Sequence, residues 1–543
     1  MKRMNSIIIA VLSAIMLISC NEKDPMSKGD DAAQNKGFIS FSFEKALNPG
    51  LSEDVICTIN ENGSITGEFK DVLSSYVLIP SFETDVKEVS VGGEVQVSGS
   101  SAQNFSYSVY YKLKLDDDTY RSVKVTMTLP ERPQLPVIRI NTENNAPIKD
   151  KKNYIKGTVV ISDPDRMYWD TEELTLNMTK DGIRGRGNST WGLPKKPYKI
   201  KFDDKVSIFG RPADKEWVIL ANYSDKALMR NIVAMKLSEI LGMSWTPVML
   251  PVEVYLNDKY QGVYTFSEHK KVAKGRVDLD IVSETDNEGE EVTGDYYLEI
   301  EGAMDETTCF HTAVRGIPMM FSDPEEPTEA QYNYIYEYFR ATELAIESED
   351  FKDPEKGWQK YIDAESFAKA FIINELAKNI DGNMRKSSFI TKEKGKKLEM
   401  YHVWDYDISF GNCNYMKDYG GTNGPEGWFV KNVALGYHWD GKKGNWYIRL
   451  CQDPAFCATV KRIWKEHYAE ISGLTAFMDQ QALLMQDAQK RNFEEWDILN
   501  KIVWPNVDIF GSYEKEVEYL KDFYTQRVNW LDKAFNVGEG QIF

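Results

Sequence analysis

Cysteine and histidine are scarce in this chain of 543 residues, with six of the first and five of the second. No two cysteines form a Cys-x-x-Cys pair, and the histidines do not cluster at metal-ligand spacing, which argues against a zinc site. An excess of positive charge is also missing: 65 Lys and Arg face 84 Asp and Glu, a formal net charge of -19. A phosphate backbone needs a basic face, so this balance argues against nucleic acid as a partner. A local basic site for a phosphorylated ligand is still allowed. Beyond the first twenty residues no segment is long and apolar enough to span a bilayer, and no internal repeat is evident. What the chain does have is apolar mass, 42% hydrophobic and 12% aromatic, enough for a substantial core. Its length exceeds one compact domain and predicts two or three.

The N-terminus reads as an export signal. Lys2 and Arg3 precede an apolar stretch over residues 7–18, broken only by Ser13 and too short for a permanent membrane helix. It closes on Leu17-Ile18-Ser19-Cys20, which resembles a bacterial lipobox. The resemblance implies that the Cys20 thiol takes a diacylglycerol, making the mature chain a membrane-anchored lipoprotein of the cell envelope, at the outer membrane. The alternative is a plain signal peptide in which Cys20 is incidental. Five cysteines then remain, an odd number, so at least one is unpaired within the chain. Residues 21–37 are polar and charged and read as a solvated tether.

Over residues 38–130 short alternating runs such as FISFSFE, EVQVSGS and SVKVTMTL are separated by Asn48-Pro49-Gly50, Asn62-Gly63 and Gly92-Gly93. Period-two alternation with regular turns predicts a small all-β sandwich, immunoglobulin-like. It resembles the Ig-like modules found on envelope lipoproteins of the Bacteroidetes, and nothing in it looks catalytic; a spacer or binding role is expected. Pro130, Pro133 and Pro136 mark a stiff linker. Residues 135–543 form one long mixed segment, with strands first and helices later. Helices are expected over 225–241, with Asp225 as cap, and over 364–379, 453–471 and 513–535, with Trp464 and Trp530 as core aromatics.

Four stretches carry candidate chemistry. Arg184-Gly185-Arg186-Gly187-Asn188-Ser189 is a glycine-rich turn whose backbone N–H groups can cradle an anion. The strand after it places Tyr198, Ile200 and Phe202 on one face and Lys199 and Lys201 on the other. A loop followed by a strand lysine is how kinases grip nucleotide phosphates; a structural hairpin with solvated lysines is the plainer reading. The second stretch, residues 217–230, is a buried strand running into a helix. The third, Tyr260-Gln261-Gly262-Val263-Tyr264 on to Glu268-His269, reads as a strand pair or hinge. In the fourth, Asn379-Ile380-Asp381-Gly382-Asn383 precedes Trp404-Asp405-Tyr406-Asp407-Ile408-Ser409-Phe410-Gly411-Asn412. On a regular strand Asp405 and Asp407 share a face and can bind Mg²⁺ through oxygen. Taken singly, Asp381 reads as an Asx turn and the pair as a structural or Ca²⁺ site. Taken in order, they repeat the catalytic and metal-binding loops of protein kinases.

Together with Lys-Lys-Pro-Tyr-Lys-Ile-Lys-Phe over 195–202, Asn222-Tyr223-Ser224-Asp225 and Arg230-Asn231, these motifs resemble the CotH family of atypical protein kinases across roughly residues 135–543. The resemblance implies an α+β, two-lobed kinase-like domain. It also implies transfer of the ATP γ-phosphoryl group to Ser or Thr with Mg²⁺ or Mn²⁺. Asp381 matches the catalytic aspartate and Asp405 the metal-binding one, with Asp407 a further ligand. Lys199 or Lys201 neutralises phosphate, and Arg186, Asn188 and Ser189 shape the nucleotide loop. Family members often carry a second metal-binding Asn before an aromatic strand; here Ser387-Ser388 stand before Phe389, so that ligand is either missing or moved to Asn383. The lysine's carboxylate partner stays unassigned. Some fungal members are surface adhesins, so an inactive binding protein is the alternative function. Glycoside hydrolysis by a carboxylate pair is the third class, disfavoured because Asp405 and Asp407 are so close in sequence. The protein substrate or surface partner is unknown.

Overall fold

The computed structural model describes residues 36–543, without 74–75, 133, 172, 305–307, 383, 420, 437, 440–441, 444, 537–540 and 543. The expected export signal, Cys20, nearly all of the tether, and Asn383 therefore lie outside the described residues. The chain divides into two compact units, one ending at Pro130 and the other running Glu131–Phe543.

The first unit is all-β. Phe38–Phe43 is the middle strand of a three-stranded sheet, and the hairpin Val109–Lys114/Tyr120–Thr128 sits inside a six-stranded one. Alternation drives both. Along Val109–Lys114, Val109, Tyr111 and Leu113 are buried and Tyr110 and Lys112 exposed. Phe41, Phe43, Phe105 and Tyr111 meet in the core in edge-to-face pairs.

The second unit, the one that holds the site, opens with a closed seven-stranded barrel. Its strands are Val137–Thr142, Ile155–Ser162, Glu173–Gly185, Tyr198–Val206, Asp214–Leu220, Met249–Leu256 and Lys259–Glu268. Tyr198, Ile200 and Phe202 point into its core beside Ile138, Val159 and Phe266, which leaves Lys199 and Lys201 on the outside. A five-stranded sheet follows, with Tyr296–Ile300, Ser388–Lys392 and Leu398–His402 as neighbours. Its inner strands are buried on both faces, as in a sheet covered by helices on either side.

Ala364–Ala377 is the central helix, buried along most of its length. It starts where the Asp363 carboxylate accepts the Ser366 N–H at 2.7 Å and stops at Lys378, which takes a left-handed φ of 45°. Pro454–Ser472 and Tyr513–Asn536 match the remaining expected helices. Trp464 is buried, and Trp530 is half-buried against the core. One helix begins later than its pattern suggests. It runs Arg230–Leu241, and Asp225 does not cap it by the usual reach of two or three residues. Instead the Asp225 carboxylate accepts the Arg230 N–H at 2.8 Å and pairs with the Arg230 guanidinium at 2.5 Å. Burying Arg230 requires a counter-charge, and that requirement outweighs local helix propensity over 225–229. All five cysteines among the described residues are free thiols.

Candidate functional site

A cavity of about 530 Å³ in the second unit gathers side chains from nine separate stretches of the sequence. The glycine-rich loop supplies Arg186, Asn188 and Ser189. It leaves the Glu173–Gly185 strand and passes into a single 3-10 turn over Ser189–Gly192. Gly187 sits at φ +80°, where a Cβ would come 2.2 Å from the Thr190 hydroxyl oxygen, so only glycine makes this turn. The Arg186 guanidinium lies 5.8 Å from the Trp404 ring centroid. Burial lowers its pKa, and Asp405, Asp407 and Glu299 oppose that shift.

Asp381 leaves the central helix through Lys378 and Asn379. Its carboxylate meets the Arg385 guanidinium at 3.1 Å. The Asn379 side chain ties two loops together: its oxygen accepts the Asp381 N–H at 3.2 Å, and its nitrogen donates to the Asp405 carbonyl at 3.2 Å. One buried amide thus sets the spacing of the two aspartates, a role the sequence reading did not assign.

Asp405 and Asp407 do line the same cavity, but not as neighbours on a strand. The strand ends at His402, and Asp405 takes a left-handed φ of 70°. Convergence comes from that bend together with hydrogen bonds to the loop. The Tyr406 N–H donates to Asn231 Oδ1 at 2.7 Å, and Asn412 Nδ2 donates to the Asp407 carbonyl at 2.8 Å. Burial raises both aspartate pKa values. For Asp405 the nearby Asp381 raises it further while Arg186 opposes; Asp407 is pushed well above the carboxylate range, with Asp405 the main charge contributor. Burial penalises the charged forms of Asp405 and Asp407, a condition that a divalent cation relieves. Among the described residues no three Asp, Glu, His or Cys side chains gather closely enough to hold a metal by themselves. The set therefore suits an ion such as Mg²⁺, which takes one or two carboxylates and completes its shell with phosphate oxygen and water.

Lys199 and Lys201 are not in this cavity. On the outer face of the barrel Lys199 pairs with Glu216 and Lys201 with Asp181, each at 3.3 Å. The lysine that lines the cavity is Lys270, just past the Lys259–Glu268 strand, in an ion pair with Glu299 and 4.5 Å above the Phe389 ring. Glu299 carried a signal that was passed over: it is the charged residue in the buried strand Tyr-Tyr-Leu-Glu-Ile. Glu301, Arg385, Lys386, Tyr415 and Trp504 also line the cavity and were not anticipated.

The floor under Lys270 makes a pH prediction. His402 stacks on Phe389 with centroids 4.2 Å apart and hydrogen-bonds Tyr297 at 2.8 Å. Burial drives its pKa down to about 3. The folded state therefore favours neutral imidazole. Its contribution is full above the unfolded value near 6.5 and is lost as pH falls toward 3. Between pH 7 and pH 5 this costs about 2 kcal/mol of stability. Urea unfolding across that range is expected to show a shallower fall for His402→Phe; equal slopes in the two proteins would refute the assignment.

A family model described as CotH kinase protein matches residues 183–531. No curated protein matches the chain.

Proposed function

This chain belongs to the CotH kinase protein family, the matched span covering well over half of it, and from that premise we propose that its second unit transfers the γ-phosphoryl group of ATP to a Ser or Thr hydroxyl of a protein. The observation that carries the reading is the convergence of Asp381, Asp405 and Asp407 with Arg186 and Lys270 around one cavity. Asp381 orients the acceptor hydroxyl and takes its proton as the new oxygen–phosphorus bond forms and the bond to the β-phosphate breaks, releasing ADP. Asp405 and Asp407 would hold a divalent cation, Mg²⁺ or Mn²⁺, which would supply positive charge against the nucleotide phosphates. Lys270, positioned by Glu299, grips phosphate in the role first expected of Lys199 or Lys201. Arg186 fixes the loop over the nucleotide, with Asn188 and Ser189 at its turn. Lys386 has no ion-pair partner among the described residues and faces the space beside Asp381. In this reading Cys20 anchors the protein to the envelope membrane, where the acceptor is another envelope or surface protein.

A thermal-shift series tests the site. ATP with Mg²⁺ at about 100 times its Kd stabilises a binding-competent protein by about 2.7 kcal/mol. Wild type should show this shift, and Asp405→Ala should lose it. Lys270→Met should lose most of it, and Lys199→Met should keep it. A full shift in Asp405→Ala sinks the proposal. Transfer of labelled phosphate to serine-containing peptides then separates a kinase from a binding protein that merely retains nucleotide.

A further inference from the structure

Trp504 stands on the rim of the cavity that holds Asp381, with 49% of its surface exposed. Its ring lies flat against Tyr415, centroids 5.7 Å apart and planes 6° from parallel. Tyr415 in turn packs on a small cluster of its own, built from Ile380, Ile408, Cys413, Met416 and Phe429. Ile380 is the residue before Asp381, so the aromatic pair belongs to the Asp381 wall. Lys270 and Glu299, by contrast, reach the cavity from the barrel strand and the five-stranded sheet.

The segment bearing Trp504 is tied down on every side. The Asn414 N–H donates to the Pro505 carbonyl at 3.0 Å. Asn506 Nδ2 donates to the Ser224 carbonyl and to Asn412 Oδ1, both at 2.7 Å. Asn412 also donates to the Asp407 carbonyl at 2.8 Å, so the rim and the Asp405–Asp407 loop share one hydrogen-bond network. The buried Lys226 ammonium donates to the Lys501 carbonyl at 2.7 Å. These ties fix the indole without covering it. A rigid, exposed aromatic at the mouth of a polar cleft has the make-up of a binding edge.

We infer that Trp504, backed by Tyr415, is a specificity-determining residue that receives a large apolar or aromatic side chain flanking the acceptor Ser or Thr of a polypeptide substrate. The inference rests on the phosphoryl-transfer reading. If Asp381 orients the acceptor hydroxyl, that oxygen lies within hydrogen-bond reach of its carboxylate. An extended peptide advances about 3.4 Å per residue, so the residues on either side of the acceptor pass over the rim of the Asp381 wall. Trp504 is the half-exposed aromatic that waits there, and its preorganisation lowers the entropic cost of capture.

The test reads peptide binding rather than turnover. Fluorescein-labelled serine-centred peptides, one series flanked by Phe or Leu and one by Gly, are titrated with the full chain plus ADP and Mg²⁺, and anisotropy is followed. Wild type should bind the Phe- or Leu-flanked series about tenfold more tightly. Trp504→Ala should erase that difference and keep the ATP-induced thermal shift, and Trp504→Phe should restore part of it, guarding against a folding defect. Equal binding of both series to wild type overturns the inference, as does a preference that survives Trp504→Ala. A lost ATP shift with the peptide preference intact also overturns it, because the indole would then be a platform for the nucleotide base. If wild type binds the peptides as expected but transfers no phosphate, only the kinase reading fails.

Discussion

Asp381→Asn is expected to cut phosphoryl transfer by about 10²- to 10⁴-fold while leaving ATP-dependent stabilisation in place. The substitution removes a proton acceptor and keeps the shape. The Asp381 N–H still donates to Asn379, and its carbonyl still accepts the Lys386 N–H at 2.8 Å. Asp405, Asp407, Lys270 and Arg186 are untouched. The side chain's ion pair with Arg385 is lost, but Arg385 also donates to the Ile380 carbonyl at 2.8 Å and so stays anchored. Binding and chemistry should therefore separate. Single-turnover transfer and thermal shift, measured on one preparation, would show a steep loss in the first and little change in the second. Equal losses in both would mean that Asp381 mainly builds the nucleotide site and that the acceptor proton goes elsewhere.

The largest stability effect is expected at Arg527→Met, a loss of about 3–5 kcal/mol. Arg527 and Glu375 form an ion pair with both side chains fully buried. Arg527 also donates to the Glu375, Pro425 and Gly427 carbonyls at 2.7–2.8 Å. The Glu375 carboxylate accepts the Phe429 and Val430 N–H groups at 2.9 and 2.6 Å. Burial lowers the arginine pKa to about 10 and raises the glutamate's, and the charge of each partner opposes the other's shift. Removing only the arginine leaves an uncompensated buried carboxylate. It also frees the segment that the Lys378 ammonium holds through the Thr422, Gly424 and Glu426 carbonyls. The double variant Glu375→Leu/Arg527→Met should recover part of the loss, since apolar replacement of the whole pair avoids the stranded charge. Urea denaturation of the three proteins decides it: a single variant as stable as wild type would show that the pair holds nothing together.

The two sites differ in how readable they were. Asp381, Asp405 and Asp407 stood out because carboxylates beside Gly, Ser and Asn in fixed order are rare in core sequence. All three line one cavity, though not through a shared strand. A shared strand face was expected, and the left-handed turn at Asp405, clamped by Asn231, Asn379 and Asn412, is what brings them together. For a phosphate-gripping lysine, the sequence pattern points to the strand that alternates over Tyr198–Phe202. Lys199 and Lys201 fitted that pattern, and the barrel satisfies both with Glu216 and Asp181 on its outer face. Asn383 falls outside the described residues.

Within the chain alone, residues a turn or two apart settle their own geometry. The Tyr198–Phe202 alternation marks a barrel face, and Asp363 starts the central helix, because pleat and helix pitch act on near neighbours. Which charged group meets which is another matter. Lys270 finds Glu299 across 29 residues, and Arg527 finds Glu375 across 152. Trp504 settles against Tyr415 from a distant segment. Such pairings are decided when the packed core excludes water and each buried charge must take the nearest opposite partner, and only the tertiary structure says which one that is.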